Sequence, residues 1–325
     1  MNITLHIETS FIRHKRENCP VCKSNKKIHL YTLYDDRYGM PDDFEVVICE
    51  QCQLIYLSEI IAPEQQAELY QRYYAPVEQK PLFNKRKMES VRLWIRDSWL
   101  WEMIIGGIDL ARYVKKGEKV LDVGCGYGAN YKPVKRKGAF WQGVDIDPKV
   151  CEYLRSQGLP IFCGSLEDFV IQTNQKFDKL LLSQLLEHSL EPVSLLASAK
   201  KCLAPNGEII ISSPNSNSRY RDKYKRNWLH WHVPYHTLHW NKNSLSYLAK
   251  MVGLKLKWFK SLTPPSWYFC QKKFQPVERG KKNLSLDLKI KPIKWLLVIP
   301  GLRIVDLIYR GTGDAFVASL VENGI

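Results

Sequence analysis

From Lys119 onward, short apolar runs rich in Val, Leu and Ile alternate with longer stretches of mixed polarity. The runs Lys119–Val123, Gly143–Ile146, Ile161–Cys163, Lys179–Ser183 and Glu208–Ser212 read as buried strands, with helices between them. The helix before the last of these extends from about Glu191 to Leu203, with Pro192 in its first turn and Pro205-Asn206-Gly207 stopping it. Strands alternating with helices predict an α/β fold, a mostly parallel sheet with helices on its faces. Two later runs, Leu254–Lys260 and Ala315–Val321, read as strands six and seven, with an insertion at about 263–312 between them. Ahead of this region, residues 61–115 are expected to be helical. Pro63-Glu64-Gln65-Gln66 offers a helix start, and Val91 to Val114 is rich in Trp, Leu and Ile with Arg interspersed. Earlier still, Leu30–Tyr34 and Phe44–Ile48 look like strands. The expected organisation is therefore a small unit over 1–60, a helical linker or lid over 61–115, and an α/β domain over 116–325.

Four of the nine cysteines add chemistry to the first unit: Cys19-Pro-Val-Cys22 and Cys49-Glu-Gln-Cys52. Two Cys-x-x-Cys knuckles flanking two strands suit a zinc ribbon, because each tight turn offers two thiolates to a tetrahedral Zn²⁺. Disulfides or a redox dithiol are the alternatives, the first disfavoured in a reducing compartment and the second needing no second copy. With four protein ligands the ion would be structural. Cys125, Cys151, Cys163, Cys202 and Cys270 are scattered and read as small hydrophobes.

Composition limits the function classes. The 325 residues are 45% hydrophobic, enough for a full core, which excludes a disordered basic tail protein. The formal net charge of +15 is concentrated in residues 13–27, 219–226 and 272–294, and such patches attract nucleic acid, anionic lipid or phosphorylated substrates. The start, Met1-Asn2-Ile3-Thr4-Leu5-His6, lacks the basic-then-apolar pattern of a signal peptide. The most apolar segment, Ile293 to Tyr309, is interrupted by Pro300 and does not read as a bilayer span. The expectation is a soluble, cytoplasmic protein. Its second reading is peripheral contact at the inner membrane face through this segment and its basic neighbour.

The first α/β strand runs into Gly124-Cys125-Gly126-Tyr127-Gly128. A glycine-rich strand-to-helix turn lets a ligand approach free backbone N–H groups. Gly124, Gly126 and Ala129 also satisfy the relaxed dinucleotide pattern, and Asp145 could hold a ribose diol in either case. Asp122, however, places a carboxylate where a pyrophosphate would be repelled but an ammonium or sulfonium would not.

Leu121-Asp122-Val123-Gly124-Cys125-Gly126-Tyr127-Gly128 together with Val144-Asp145-Ile146-Asp147-Pro148 resembles class I S-adenosylmethionine (SAM)-dependent methyltransferases. That resemblance implies a Rossmann-like seven-stranded sheet whose last strand is antiparallel. It also implies SAM contacts from Asp122, Gly124, Gly126, Gly128, Asp145 and Ile146, from Glu167 and Asp168 near the adenine amino group, and from Ser183 and Gln184 at the exit of strand four. The cysteine knuckles, Asp35-Asp36-Arg37-Tyr38-Gly39-Met40-Pro41 and Leu69-Tyr70-Gln71-Arg72-Tyr73-Tyr74 are similar to bacterial members associated with saccharide and natural-product pathways. Tyr235-His236-Thr237-Leu238-His239-Trp240 resembles the Arg-His-Leu-x-His-Phe motif found there, with Tyr235 in place of Arg and Trp240 in place of Phe.

SAM is already activated, so such an enzyme aligns an acceptor with the methyl group and excludes water. A hydroxyl acceptor also needs a base, and the candidates are His236, His239 and His188, in that order. Their structural alternative is bracing a loop or capping a helix. Gln184-Leu185-Leu186-Glu187-His188 also resembles the Glu-x-x-Glu-His metal motif of ubiquinone-pathway O-methyltransferases, with the first Glu replaced by Gln184. The aromatic-basic run Arg219 to Trp240 suits stacking on sugars or on bases. The expected reaction is methyl transfer to a hydroxyl of a sugar, glycan intermediate or other small molecule, phosphorylated or lipid-linked forms included. The alternative is an RNA methyltransferase that holds nucleic acid with its zinc ribbon, and a binding module without catalysis comes third.

Overall fold

A computed structural model describes residues 11–74, 108–282 and 292–323. The N-terminal part contains β1 (Arg13–Lys15), β2 (Lys27–Tyr34), β3 (Asp43–Cys49), β4 (Ile55–Leu57) and β5 (Glu59–Ile61), followed by α1 (Gln66–Arg72). Of the segment expected to be a helical lid, residues 75–107 lie outside the described residues. The described part forms β5's last residue, α1 and a short turn of 3₁₀ helix at Leu110–Tyr113.

The rest alternates as the apolar pattern requires. In order come β6 (Lys119–Val123), α2 (Tyr131–Arg136), β7 (Phe140–Asp145), α3 (Pro148–Ser156), β8 (Ile161–Cys163), α4 (Leu166–Gln172) and β9 (Phe177–Ser183). They are followed by α5 (Pro192–Lys201), β10 (Leu203–Pro214), α6 (Arg219–Tyr224), β11 (Leu238–His239), α7 (Lys242–Met251), β12 (Leu254–Leu262), α8 (Pro265–Lys273), α9 (Pro292–Ile308) and β13 (Ala315–Glu322). Seven of the strands form one sheet in the order β12-β13-β10-β9-β6-β7-β8, with β13 antiparallel to both neighbours. In order along the chain this is 3-2-1-4-5-7-6, a seven-stranded sheet whose last strand is antiparallel, as the resemblance implies. Leu180–Leu182 and Ile209–Ile211 are wholly buried because helices cover both faces of the central strands. Strand β10 is longer than expected, since Leu203 already pairs with Phe177 and Pro205-Asn206-Gly207 sits inside a register shift.

The second sheet changes the expected boundary near residue 60. Its order is β11-β4-β3-β2, so residues that follow β10 supply its edge strand, with Leu238 opposite Tyr56 and His239 opposite Ile55. Around this join Trp228, Trp231, Tyr235 and Trp240 pack in the interior with Met40, Phe44 and Tyr56. The rings of the aromatic-basic run are therefore core, and those four are withdrawn from the stacking role expected of them. In the insertion, α9 continues through Pro300 and leaves Ile304, Leu307 and Ile308 exposed on one face. No described helix is long and apolar enough to cross a membrane.

Candidate active site

At the end of β6 the chain turns through Gly124, Gly126 and Gly128, all at positive φ (61°, 50° and 76°). A side chain on Gly124 would place its Cβ 2.7 Å from Leu185 Cδ1, a contact that the flexible leucine tip relieves by turning, so it is the backbone conformation that calls for glycine here. The turn is held from the next strand. Gly124 N donates to Val144 O at 2.8 Å, and Gly126 N donates to Asp145 Oδ2 at 2.8 Å. The other oxygen of Asp145 accepts from Asp147 N at 3.0 Å, and burial raises this carboxyl above its ordinary value. Beside it, Ile146 is 75% exposed, an apolar side chain held in the open at the end of β7.

Asp122 lies inside the protein rather than on the loop surface. It is 1% exposed, and its carboxylate accepts from Asn130 Nδ2 and Trp141 Nε1, both at 3.1 Å. Burial raises its pKa to about 6. Asn130 and Trp141 are functional neighbours that sequence reasoning missed. Nothing in the local pattern announces them, because they reach Asp122 from the far side of the glycine turn and from β7. Glu167 and Asp168, expected in the loop after the third strand, lie in the first turn of α4, and both are engaged there. Asp168 closes a capping box with Ser165, and Glu167 accepts from Ser194 Oγ at 3.0 Å. Ser183 ends β9 opposite Ser212. Gln184 follows at φ +51°, donating its backbone N–H to Ser212 O and its side-chain amide to Ser212 Oγ. A non-glycine residue in that conformation is a strained turn of the kind found at functional sites.

From this turn the exit of β9 is joined to the loop after β10. Thr237 N donates to Glu187 O at 3.0 Å, and Trp240 Nε1 donates to Leu186 O at 3.1 Å. His188 Nδ1 lies 3.0 Å from Tyr235 O and 3.0 Å from Tyr70 Oη of α1. His236 Nδ1 lies 2.9 Å from His230 O. The two imidazoles face each other edge to face, with ring centroids 4.7 Å apart. Burial lowers the His188 pKa to about 4 and lowers that of His236 well below the usual histidine value, so both rings are neutral near neutrality. Burial likewise brings His239 to about 3; its ring packs edge-on against Trp231 in β11, 6.3 Å from His236. Glu187, between these histidines in the fold, is buried and pushed up to about 8. Sequence reasoning reached Glu187 only through a motif, not as a member of this group.

The four cysteines form a separate cluster. Their Sγ atoms all lie within 4.8 Å of one another, with Cys19–Cys52 at 3.5 Å and Cys22–Cys49 at 3.4 Å. Tetrahedral Zn–S bonds of about 2.3 Å would set the sulfurs roughly 3.8 Å apart, so the spacing fits a shared ion. The two knuckles have the same backbone. In each, the residue after the second cysteine (Lys23, Gln53) sits at φ +61° and donates its N–H to the first cysteine's carbonyl. The first cysteine in turn donates its N–H to Ser24 O or Leu54 O. All nine cysteines are free thiols, so the disulfide alternative does not apply.

Residues 105–257 match a family described as "Methyltransferase domain". A curated relative, the ubiquinone biosynthesis O-methyltransferase of Actinobacillus pleuropneumoniae, is 36% identical over 109 residues, covering 30% of this chain and 47% of that protein. The enzyme of the same name from Proteus mirabilis is 31% identical over 109 residues, 32% of this chain and 44% of that one. The chain thus spans about half the length of the curated relatives it matches. Among solved structures, a SAM-dependent methyltransferase from Archaeoglobus fulgidus overlays with a TM-score of 0.44 at 18% identity, over 68% of this chain and 98% of that one. A Burkholderia thailandensis 1,6-didemethyltoxoflavin-N1-methyltransferase overlays with 0.45 at 12% identity, over 86% and 96%. The fold assignment rests on the strand order, not on these overlays.

Proposed function

We propose, from the match of residues 105–257 to a methyltransferase domain, that the protein transfers the methyl group of SAM to a hydroxyl of a small molecule. The observation that carries this reading is the proximity of two features. A glycine turn opens at the head of β6, and Leu185, from the exit of β9, packs against Gly124 of that turn. Three residues further on, at His188, begins the group of neutral imidazoles. Gly124, Gly126 and Gly128 would admit the cofactor, and Asp145 and Ile146 are the residues that would hold its ribose and adenine. Glu167 and Asp168 bound the adenine end, while Ser183 and Gln184 border the methionine end. Asp122 acts from beneath, holding Asn130 and Trp141 in place under the turn.

On the acceptor side His188 and His236 are the groups that take the proton, because the Nδ1–H of each is committed to a carbonyl and its Nε2 retains a lone pair. His239 supports the loop from β11. When bound, SAM would supply a sulfonium methyl group and leave as the thioether; the part of this chain is to take the hydroxyl proton on an imidazole and release it to water. The four cysteines would hold a structural Zn²⁺, linking the turn before β2 to the turn after β3 in the sheet that β11 completes. A sugar or glycan-intermediate hydroxyl remains the proposed acceptor class. The burial of Trp228, Trp231 and Trp240 weighs against RNA, since a stacking platform needs exposed rings. The exposed Ile304, Leu307 and Ile308 support peripheral contact with an anionic membrane, and co-sedimentation with anionic liposomes at physiological salt tests that part.

Isothermal titration of the folded protein with SAM tests the central reading. Saturable binding of one equivalent is expected, and its absence in a natively folded sample would sink the proposal. Purification with RNA that salt removes would favour the nucleic-acid alternative.

A further inference from the structure

Glu187 is 1% exposed, and neither of its carboxylate oxygens completes a hydrogen bond, although the Ser213 hydroxyl lies close enough to offset part of the cost of its burial. A buried, unpaired carboxylate is among the most unfavourable groups a fold can contain. What surrounds it is not apolar filler. One oxygen of Glu187, one nitrogen of His188 and one nitrogen of His236 all lie within 4.8 Å of one another. The histidines are oriented from behind. A carbonyl oxygen only accepts, so the contacts of His188 Nδ1 with Tyr235 O and of His236 Nδ1 with His230 O place both protons on Nδ1. Each Nε2 is therefore a lone-pair donor. Among the described residues the nearest competitor is His232 Nδ1, a long 3.4 Å from His236 Nε2. Three donor atoms converge without bonding to one another, and the hydrogen bonds behind the imidazoles are those that orient metal-binding histidines.

We propose that Glu187, His188 and His236 bind one divalent cation of the borderline class, such as Zn²⁺, Mn²⁺ or Co²⁺. One carboxylate and two imidazoles suit those ions better than Ca²⁺ or Mg²⁺, which prefer oxygen throughout. The cation supplies the charge that the buried Glu187 lacks. Three protein ligands leave at least one position open, and an acceptor hydroxyl bound there would ionise more readily, its proton passing to water because both Nε2 lone pairs are then on the ion; the imidazoles take the proton only in the metal-free protein. Gln184 is outside the set, because its amide is committed to Ser212 Oγ. The third ligand is instead His236, from the loop after β10, brought in by the hydrogen bonds that join the two segments. The ion's role at the acceptor rests on the methyltransferase reading, but its binding does not.

The test is metal stoichiometry on the full chain with the four-cysteine site already filled with Zn²⁺. Mn²⁺, which thiolates hold poorly, is titrated and followed by the loss of its free-ion electron paramagnetic resonance signal, and Zn²⁺ and Co²⁺ are counted by elemental analysis. Wild type is expected to take up one further equivalent, and Glu187→Gln and His236→Gln to weaken it at least tenfold. SAM binding, measured in parallel on all three proteins, should be retained and so report that each is folded. Failure to bind Mn²⁺, Zn²⁺ or Co²⁺ beyond the thiolate equivalent would overturn the inference, as would retention of the extra equivalent in both variants. Either result with SAM binding intact leaves the methyltransferase reading standing, whereas loss of SAM binding in wild type strikes that reading alone.

Discussion

The two sides of the candidate site are built differently. The proposed cofactor side comes mostly from one stretch of chain, β6 to the start of α4, with Ser183 and Gln184 added from the exit of β9, and most of its contacts are local: Gly126 to Asp145, Asp122 to Asn130 and Trp141, Ser165 to Asp168. The acceptor side is assembled from at least four segments far apart in sequence. Tyr70 of α1 meets His188 after β9, His188 meets Tyr235, and Leu238–His239 completes a sheet begun by β2–β4. A local site tolerates damage elsewhere, whereas an assembled one fails when any of its supports is lost.

The largest expected effect follows from that difference. Cys49→Ala removes one of the four cysteines proposed to hold Zn²⁺, and since such a site would contribute folding free energy outright, the ribbon and the strand pairing with β11 should come apart. Acceptor turnover should fall at least about 100-fold, equivalent to losing the orientation of reacting groups. SAM affinity should change less than about threefold, a difference near 0.6 kcal/mol. Equal loss of both, measured by turnover and calorimetry, would show that the two sides are not separable. Gly124→Val attacks the point where they touch. It forces a β-branched residue to φ +61° and pushes its Cβ against the Leu185 tip. About 1–2 kcal/mol of backbone strain is expected, with SAM binding weakened about tenfold or more; unchanged affinity would separate the turn from the cofactor.

The smallest effect lies away from both sides, at the far end of the sheet. Glu208 accepts from Lys257 Nζ at 2.7 Å and from Ser319 Oγ at 2.8 Å, with Lys179 Nζ 3.3 Å away. Burial alone would raise its pKa, but these partners outweigh it and hold the group at about 2, below its unfolded value. Its stabilisation is therefore complete above the ordinary glutamate range and is lost as pH falls from about 4.5 towards 2. Glu208→Gln should lower stability near neutrality by about 1–2 kcal/mol, after allowing for partial exposure, and flatten the acid limb of the melting curve. Thermal denaturation across pH measures both, with SAM affinity left alone.

The contrast also governs what could be read in advance. Strands β6–β10, β12 and β13 are apolar runs that signal themselves, and the glycine turn with Asp145 is a local pattern tied to a backbone requirement. The cysteine knuckles are equally local. By contrast, Trp141 and Asn130 beneath Asp122 follow from packing between β7, the turn and α2. The fate of Trp228, Trp231 and Trp240 was misjudged because aromatic residues among basic ones look the same whether their rings face a ligand or the core. The boundary near residue 60 was drawn where composition changes, yet a two-residue strand too short to register in any periodicity carries the sheet across it.

The sequence by itself determined the alternating architecture, the cofactor turn and the two pairs of thiolates, since each depends on residues within a few positions of one another. Only the tertiary structure decided which histidines converge. Glu187 and His188 lie 48 or more positions from His236, and their donor atoms meet because hydrogen bonds from the Thr237 amide and the Trp240 indole close that distance. Convergence of that kind is a property of the folded backbone, and no spacing along the chain encodes it.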